Sequence, residues 1–375
     1  MKQKFFFVPV NRPLIGKEEL ANVKKCIESG WISSSGKYII KFEKSFSKIV
    51  DRKFGIAVSS GTGAIDIAIK ALDFKKGDEI IVPNFTIISS VNEIIRQGIK
   101  PIFIDSKKDD FNMDTDLIEK KITKKTKAIM VVHIYGLPTN MIKIIEIAKK
   151  YNLKIIEDCA EQLGQKFANK KIGSFGDISI FSFFANKHIT TGEGGMLVTN
   201  NKAYYEKCLK LRNICFEPNK PRFVHYNLGW NYRMTNLQAA IGCAQLKKLN
   251  IFIKKKRLIG DFYNKELKSL KNLILPKKYD EYSKNIYWVY SIILKNSLKS
   301  KDLSKKLIKY GIETRPFFFP MNKQPIIKKL KLVGKKEKFP ISEEIYEKGL
   351  YLPSGIGNTL SELKKVVKIL KLILK

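Results

Sequence analysis

Short apolar runs alternate with amphipathic segments along the first 250 residues. The apolar runs are rich in isoleucine and valine, which indicates strands that are buried on both faces of a sheet. The amphipathic segments between them have the spacing of helices that pack on such a sheet. We predict an α/β fold with a mostly parallel sheet of seven strands, at 54–59, 78–83, 101–105, 127–136, 154–158, 177–183 and 194–200.

The pattern changes from about residue 233 onward. A helical stretch without proline covers 235–267 and is predicted to connect two domains. We therefore predict a large α/β domain with an N-terminal arm at 1–250 and a small α+β domain at 251–375. The elements expected in the small domain are a strand at 285–294, a helix at 302–311 and a basic amphipathic helix at 360–375.

The composition limits the class of protein. With 375 residues, of which 44% are hydrophobic and 11% aromatic, the chain has too much apolar surface for disorder to be its main state. No apolar run approaches the roughly 20 residues that a membrane-spanning helix needs. The N-terminal segment lacks a small-residue cleavage site, so we interpret it as mature chain and expect a cytoplasmic protein.

The net charge of +36 is compatible with a nucleic-acid or membrane partner. However, only eight of the 71 basic residues are arginine, the residue that proteins use most for phosphates and base edges. Lysine is scattered through every segment, so we interpret the positive charge as that of a solvated surface. We expect neither a nucleic-acid partner nor a membrane partner. The five cysteines and three histidines show no metal-ligand spacing, and we expect no metal site.

Lys187 follows an apolar, phenylalanine-rich strand and precedes the segment TTGEGG. We expect this lysine to reach an enclosed site because the strand before it is predicted to be buried. Burial disfavours the charged ammonium and lowers its pKa, which makes the amine a nucleophile toward carbonyl groups. On position alone, an ordinary loop lysine is the alternative.

Two further features accompany this lysine. Asp158 ends a predicted strand, and ligands of open α/β sheets bind beyond such strand ends. The acid would either cap the next helix or pair with a protonated pyridine nitrogen. Backbone N–H groups at Gly61, Thr62 and Gly63 would hold a phosphate at a helix N-terminus. An amine, an acid and a phosphate cradle are the three contacts that pyridoxal 5'-phosphate requires.

Several segments carry a resemblance to a known family: VSSGTGAIDIAI, IIEDCAEQLG, FSFFANKHITTGEGG and GWNYRMTNLQAAIG. In these segments the chain resembles the DegT/DnrJ-type sugar aminotransferases, over nearly its whole length. WISSSG, NYRMTN and GIETRP are similar to GDP-perosamine synthase-like nucleotide-sugar 4-aminotransferases. The resemblance implies fold type I and pyridoxal 5'-phosphate, with pyridoxamine phosphate as the intermediate. It also implies a homodimer with shared active sites.

The resemblance gives roles to the matching positions. It implies that Lys187 bonds the cofactor aldehyde, that Asp158 binds the ring nitrogen and that Glu161 lies near the ring hydroxyl. Ser182 would join the phosphate contacts, and Asn231 would reach the phosphate in the partner subunit. His225 has an alternative role in packing against a neighbouring tryptophan. The residues expected toward the substrate are Trp31, Ser33, Ser34, His225 and Arg315.

A few positions depart from the family pattern. Ile87 stands where relatives commonly place an aromatic residue on the cofactor ring, so the packing there is expected to be aliphatic. Phe319 and Asn322 replace histidines that perosamine synthases tend to carry. The resemblance therefore specifies the aminotransferase reaction better than it specifies the sugar substrate. Some relatives have histidine in place of the catalytic lysine and are dehydratases. Lys187 disfavours that reaction here.

We therefore expect an aminotransferase that moves an amino group from L-glutamate to the ketone of a nucleotide-linked 4-keto-6-deoxy sugar. The product would serve a surface glycan, either O-antigen or capsule. One alternative keeps the chemistry but uses a smaller phosphorylated ketone. A second alternative, from another class, is a basic regulator that keeps the fold without activity.

Overall fold

Two sheets with helices packed around them form the architecture, and the computed structural model describes residues 7–217, 219–295 and 297–374. The helices are α1 (Lys17–Glu28), α2 (Lys37–Ile49), α3 (Gly61–Ala71), α4 (Ser89–Arg96), α5 (Met141–Tyr151), α6 (Lys202–Arg212), α7 (Asn236–Lys247), α8 (Leu249–Leu267), α9 (Ser300–Lys309), α10 (Pro325–Lys329), α11 (Pro340–Lys348) and α12 (Leu360–Leu374). The strands are β1 (Phe54–Val58), β2 (Glu79–Pro83), β3 (Lys100–Ile104), β4 (Thr126–Val132), β5 (Lys154–Asp158), β6 (Lys166–Phe167), β7 (Lys170–Lys171), β8 (Ile178–Ser182), β9 (Gly195–Thr199), β10 (Leu273–Ile274), β11 (Tyr290–Leu294), β12 (Arg315–Pro316) and β13 (Gly349–Leu352).

The larger sheet has seven strands in the order β1-β9-β8-β5-β4-β2-β3. Only β9 runs against the others, because it pairs antiparallel with both β1 and β8. Successive side chains of a strand enter different cores, as Ile80 and Ile81 of β2 do. The prediction of a mostly parallel seven-stranded sheet with helices on both faces is confirmed.

The smaller sheet has four antiparallel strands in the order β10-β11-β13-β12. A third apolar core forms beside it, with α9 and α12 packed on the strands. The N-terminal segment joins this unit, since Val8 forms a bridge with Ile312 and Val10 accepts a hydrogen bond from the backbone N–H of Ser354. Among the described residues, no helix has the length and apolar character to cross a membrane.

Helix α8 belongs to both halves of the molecule. Phe252 and Ile253 near its start pack in a core of the larger sheet, whereas Tyr263 and Leu267 pack in the core of the smaller one. The expected boundary between residues 250 and 251 lies in the first turn of this helix, and the division into 1–250 and 251–375 stays a prediction. The single helix predicted over 235–267 is interrupted at Lys248.

Two predicted strands are shorter than the apolar pattern indicates. The strand expected at 127–136 ends at Val132, and the strand expected at 285–294 begins at Tyr290. In both segments a tyrosine adopts the left-handed region, with φ of 59° at Tyr135 and 48° at Tyr287. Extended geometry cannot continue through such residues. The chain turns there and carries aromatic side chains toward the space between the two sheets.

Candidate active site

A cleft of about 390 Å³ lies at the carboxyl ends of β4, β5 and β8. Both sheets contribute to its lining, because the segment before β11 and the strands β12 and β13 face the end of the larger sheet. The position agrees with the general placement of ligands in open α/β sheets. The predicted residues that the structure brings together here are Gly61, Thr62, Ile87, Asp158, Glu161, Ser182, Lys187 and Arg315.

Lys187 lies in the turn that follows β8. Its backbone N–H donates to the carbonyl of Phe184 at 2.9 Å, which closes the turn. Burial lowers the pKa of the Lys187 amine, and the charges of Glu161 and Asp158 oppose this shift. The ammonium lies 4.0 Å from the ring centroid of Trp288, which comes from the segment before β11. Burial therefore favours the neutral, nucleophilic form of the amine, whereas the indole face and the two carboxyl groups favour its charged form.

Asp158 and Glu161 are the two buried carboxyl groups of the cleft. Asp158 accepts hydrogen bonds from the Ala160 backbone N–H at 3.0 Å and from the Ser90 hydroxyl at 3.4 Å. Glu161 accepts one from the Tyr135 backbone N–H at 2.7 Å. Burial raises the pKa of both groups. The charge of Lys187 opposes the rise in pKa at each of them, so the protonation of the amine and of the two acids is linked.

The N-terminus of α3 forms one wall of the cleft. Ser60 caps the helix by accepting from the Gly63 backbone N–H at 3.0 Å, so this N–H is already used. The N–H groups of Gly61 and Thr62, which come before it, have no partner within the helix. A Cβ on Gly61 would lie 2.8 Å from the Cβ of Ser182, so only glycine lets this turn rest against β8. Gly63 itself does not line the cleft.

Besides Gly63, five predicted residues lie outside the cleft of this single chain. Trp31 is 60% exposed, and Ser33 accepts a hydrogen bond from the backbone N–H of Asn236. Ser34 lines a separate pocket of about 560 Å³ together with two arginines. Asn231 is exposed and pairs with Asn213 in an isolated bridge. The fifth residue is His225.

His225 does not pack against the neighbouring tryptophan. Its Nδ1 lies 2.8 Å from the carbonyl oxygen of Ile214, and its ring lies 4.8 Å from the ring of Phe216. These contacts stabilise the exposed loop that contains His225, and His225 does not line the cleft of its own chain.

The sequence profile of the DegT/DnrJ/EryC1/StrS aminotransferase family matches residues 13–371. The chain belongs to this family. Aminotransfer and the use of pyridoxal 5'-phosphate follow from this membership, and both expectations are confirmed.

Individual relatives within the aminotransferase family are similar over almost their whole length. The chain is 44% identical to a GDP-perosamine synthase of Escherichia coli O157:H7, with 93% of each chain covered. Its structure matches Helicobacter pylori PseC, an aminotransferase in pseudoaminic acid biosynthesis, with a TM-score of 0.93 at 25% identity and coverage of 98% and 99%. An E. coli GDP-4-keto-6-deoxy-D-mannose-3-dehydratase with bound hydrated pyridoxal phosphate gives a TM-score of 0.89 at 27% identity, with the same coverage.

The cleft of this aminotransferase fits the cofactor. The Lys187 amine can bond an aldehyde, and the buried carboxylate of Asp158 matches a ring nitrogen that carries a proton. The start of α3 offers backbone donors for a phosphate, beside the hydroxyl of Ser182. The individual contacts stay predictions.

Sequence reasoning missed several residues of the aminotransferase cleft. Trp288, Phe318 and Tyr351 line it from the side of the smaller sheet. Each lies in an apolar run that predicts only a buried segment, and no local signal separates them from other aromatic residues. Ser90 was missed for another reason, because its contact with Asp158 spans 68 positions along the chain.

Proposed function

We propose that this aminotransferase moves an amino group from L-glutamate to the ketone of a nucleotide-linked 4-keto-6-deoxy sugar for surface glycan synthesis. The observation that carries the proposal is the buried amine of Lys187, placed with Asp158 and Glu161 in one cleft. The 44% identity to a GDP-perosamine synthase supports a GDP-linked acceptor. The alternative of a basic regulator without activity has no support in a site of this composition.

Pyridoxal phosphate supplies an aldehyde that receives the amino group and a ring that withdraws electrons from the bond being broken. Lys187 would first hold this aldehyde and, once released, would move the proton from the α-carbon of glutamate with its Nζ. Its lowered pKa favours this role, because a neutral amine can accept the proton near neutral pH.

The two acids would act on different atoms of the cofactor. Asp158 would hold the proton on the ring nitrogen, and the hydrogen bonds from Ala160 and Ser90 favour its ionised form. Glu161 has a raised pKa and therefore tends to keep its own proton. A protonated Glu161 can donate a hydrogen bond to the ring oxygen, which an ionised carboxylate cannot do.

The remaining cofactor contacts follow the walls of the cleft. Gly61, Thr62 and Ser182 would bind the phosphate. The Gly63 N–H is already bonded to Ser60, so Gly63 would act on the phosphate only through the partial positive charge of the helix N-terminus. Ile87 is 47% exposed at the cleft and would cover the ring with an aliphatic side chain.

The substrate residues outside the cleft support a site shared by two copies of the chain. The pocket that contains Ser34 also holds Arg222 and Arg233, which suit the phosphates of a nucleotide sugar. Exposed apolar side chains lie in the same regions: Trp31 in the loop before α2, Ile40 in α2 and Leu228 in the loop near Asn231. Such surface is typical of an interface. In a homodimer, Asn231, Trp31, Ser33, Ser34 and His225 would serve the partner's cleft.

Arg315 would bind an acidic group of either substrate. Its guanidinium lines the cleft, is about half exposed and lies 3.6 Å from a carboxylate oxygen of Glu313. An arginine with spare donors suits a carboxylate of glutamate or a phosphate.

The test is a panel of acceptors incubated with enzyme and L-glutamate, read by mass spectrometry. The panel contains 4-keto-6-deoxy sugars linked to GDP, UDP and dTDP, together with small phosphorylated ketones. We expect a mass change from ketone to amine with a nucleotide sugar, and no product with Lys187→Ala. Turnover of a small phosphorylated ketone alone would favour the second candidate substrate. Undiminished turnover by Lys187→Ala would refute the assigned role of the lysine.

A further inference from the structure

Trp288 makes two contacts with the turn that carries the reactive lysine. Its ring centroid lies 4.0 Å from Lys187 Nζ, and its indole Nε1–H donates to the backbone carbonyl of Asn186 at 3.0 Å. The tryptophan is 5% exposed and comes from the small-sheet side of the cleft. Trp288 thus contacts both the side chain of Lys187, 101 positions away in the sequence, and the peptide group of Asn186, 102 positions away.

We propose that Trp288 is the positioning residue for Lys187: its indole face holds the free amine at the cleft, and its N–H fixes the preceding peptide. The proposal rests on the proposed function in one respect, namely that Lys187 is the reactive amine. It goes beyond that function because it assigns the control of this amine to a residue of the segment that leads into β11 of the smaller sheet.

The indole face of Trp288 contacts the amine at 4.0 Å. Asp158 and Glu161 act on Lys187 through space, and no ion pair joins them to it in the described part of the chain. The face of an indole attracts a cation and does not require a counter-charge. A carboxylate at contact distance would hold the ammonium charged, whereas the weaker ring lets it lose a proton.

The second contact explains why a tryptophan stands at this position. Phenylalanine would present a ring face but could not donate a hydrogen bond to Asn186. The segment around Trp288 is itself held in place, because Tyr287 adopts a left-handed conformation and the Val289 N–H points to the Tyr135 carbonyl at 3.4 Å. The indole is therefore presented by a backbone with little freedom.

This arrangement matters in the half of the reaction in which the amino group resides on the cofactor. Lys187 is then a free amine and must return to the same place for the next proton transfer. Holding one group in a reactive geometry contributes more to rate than to binding. Loss of the indole is therefore expected to lower kcat more than it changes the KM for glutamate.

The test measures the pKa of Lys187 directly in the full chain loaded with pyridoxamine phosphate. Trace labelling with isotopic acetic anhydride at a series of pH values, read on the Lys187 peptide by mass spectrometry, gives this pKa without any turnover. We expect Trp288→Leu to lower it by roughly 0.5 to 1.5 units, since the ring supports the charged form. Trp288→Phe should lower it by less, and kcat with Trp288→Leu should fall about tenfold with KM nearly unchanged.

Two controls make the result specific. Phe111→Leu removes another buried ring of the same aromatic cluster, which packs on Tyr135 but does not line the cleft. The labelling of Lys256, a buried lysine that donates to the carbonyl of Ser354, serves as an internal reference in each digest. The proposal is overturned if Trp288→Leu leaves the Lys187 pKa unchanged, or if Phe111→Leu shifts it equally. Neither result depends on which substrate is used.

Discussion

Two neighbouring acids at the end of β5 have opposite surroundings because successive side chains of a strand point to opposite faces. Asp158 points into the cleft, where burial raises its pKa. Glu157 points to the other face and accepts hydrogen bonds from the backbone N–H groups of Gly173 and Gly176 and from His133. Burial raises the pKa of Glu157, but these bonds outweigh it and lower the pKa to about 2. One acid thus serves the site and the other the fold.

His133, Glu157 and Cys159 form a buried cluster in which His133 has a structural role. Its Nδ1 accepts from the Thr139 backbone N–H at 3.1 Å, and its Nε2 lies 3.3 Å from Glu157. Cys159 lies close enough for the three ligand atoms to fall within 4.8 Å of one another. Each of these side chains already has a partner inside the protein, so the cluster is explained as a buried hydrogen-bond network.

Replacing Glu157 by glutamine is expected to destabilise the protein in a pH-dependent way. The glutamine amide would turn an NH₂ group toward the hydrogen-bond donors that surround Glu157. The lowered pKa of the carboxyl corresponds to roughly 3 kcal/mol of folding stability at neutral pH, which the variant would lose. A carboxyl with a lowered pKa stabilises the fold above its ordinary pKa of 4.5 and loses that effect as the pH falls to about 2. The difference in thermal stability between wild type and variant should therefore shrink over that range.

Thermal unfolding recorded from pH 7 downward measures this effect. Glu347→Gln, at an exposed position, is the matched control and should change little at any pH. Equal stability of Glu157→Gln and wild type at pH 7 would show that the hydrogen bonds to Glu157 contribute nothing.

At the scale of elements, the crossing of α2 and α7 supports the strand that leads to Lys187. Gly242 in α7 lies against the ring of Phe42 in α2, and a Cβ there would approach that ring to 2.7 Å. The same ring packs on Phe183 with a centroid distance of 5.1 Å. A change at the helix crossing is thus passed on to the start of the catalytic turn.

Gly242→Ala is expected to destabilise the protein although alanine is the better helix former. The preference for alanine is worth about 1 kcal/mol, whereas overpacking of a core typically costs about 1 to 3 kcal/mol. We expect the midpoint of thermal unfolding to fall. The double variant Gly242→Ala with Phe42→Leu should lose less stability than the two single changes added together. Simple addition of the two losses would contradict the steric explanation.

The apolar pattern predicts the larger sheet well because each of its strands is a short, continuous buried run. It predicts less well where the backbone turns within such a run, as at Tyr135 and Tyr287, since local composition does not reveal a left-handed residue. The helices α1 and α2 were not assigned from the pattern. In the site, Lys187 and Asp158 carry strong local signals, whereas Trp288 is placed by contacts between distant segments.

At the scale of the whole molecule, the expected residues divide into two groups. One group lines the cleft. Apart from Gly63, the other expected residues, with Asn231 among them, lie elsewhere on the same chain at exposed or half-buried positions. The proposed dimer, in which each subunit would complete the other's cleft, would account for both groups. The positive net charge of +36 would also attract a phosphorylated substrate toward either cleft.

Mixing two inactive variants tests the shared site. Lys187→Ala removes the reactive amine, and in the proposed dimer Asn231→Asp would place a carboxylate toward the partner's cofactor phosphate, where like charges repel. After subunit exchange, each heterodimer should hold one cleft with both defects and one with neither. Activity should therefore return in part on mixing. The control is each variant mixed with itself, and demonstrated exchange without recovered activity would assign Asn231 to its own subunit.

The docking of the N-terminal segment on the smaller sheet sets an order of events during synthesis. Arg12 pairs with Glu362 at 2.8 Å, and Asn11 donates to the carbonyl of Ala185 in the turn before Lys187. Translation at about 5 to 20 residues per second separates the emergence of Arg12 and Glu362 by roughly 20 to 70 s. The nascent chain can therefore bury its larger sheet early, but the ion pair that anchors the N-terminal segment forms only after the last helix has been made.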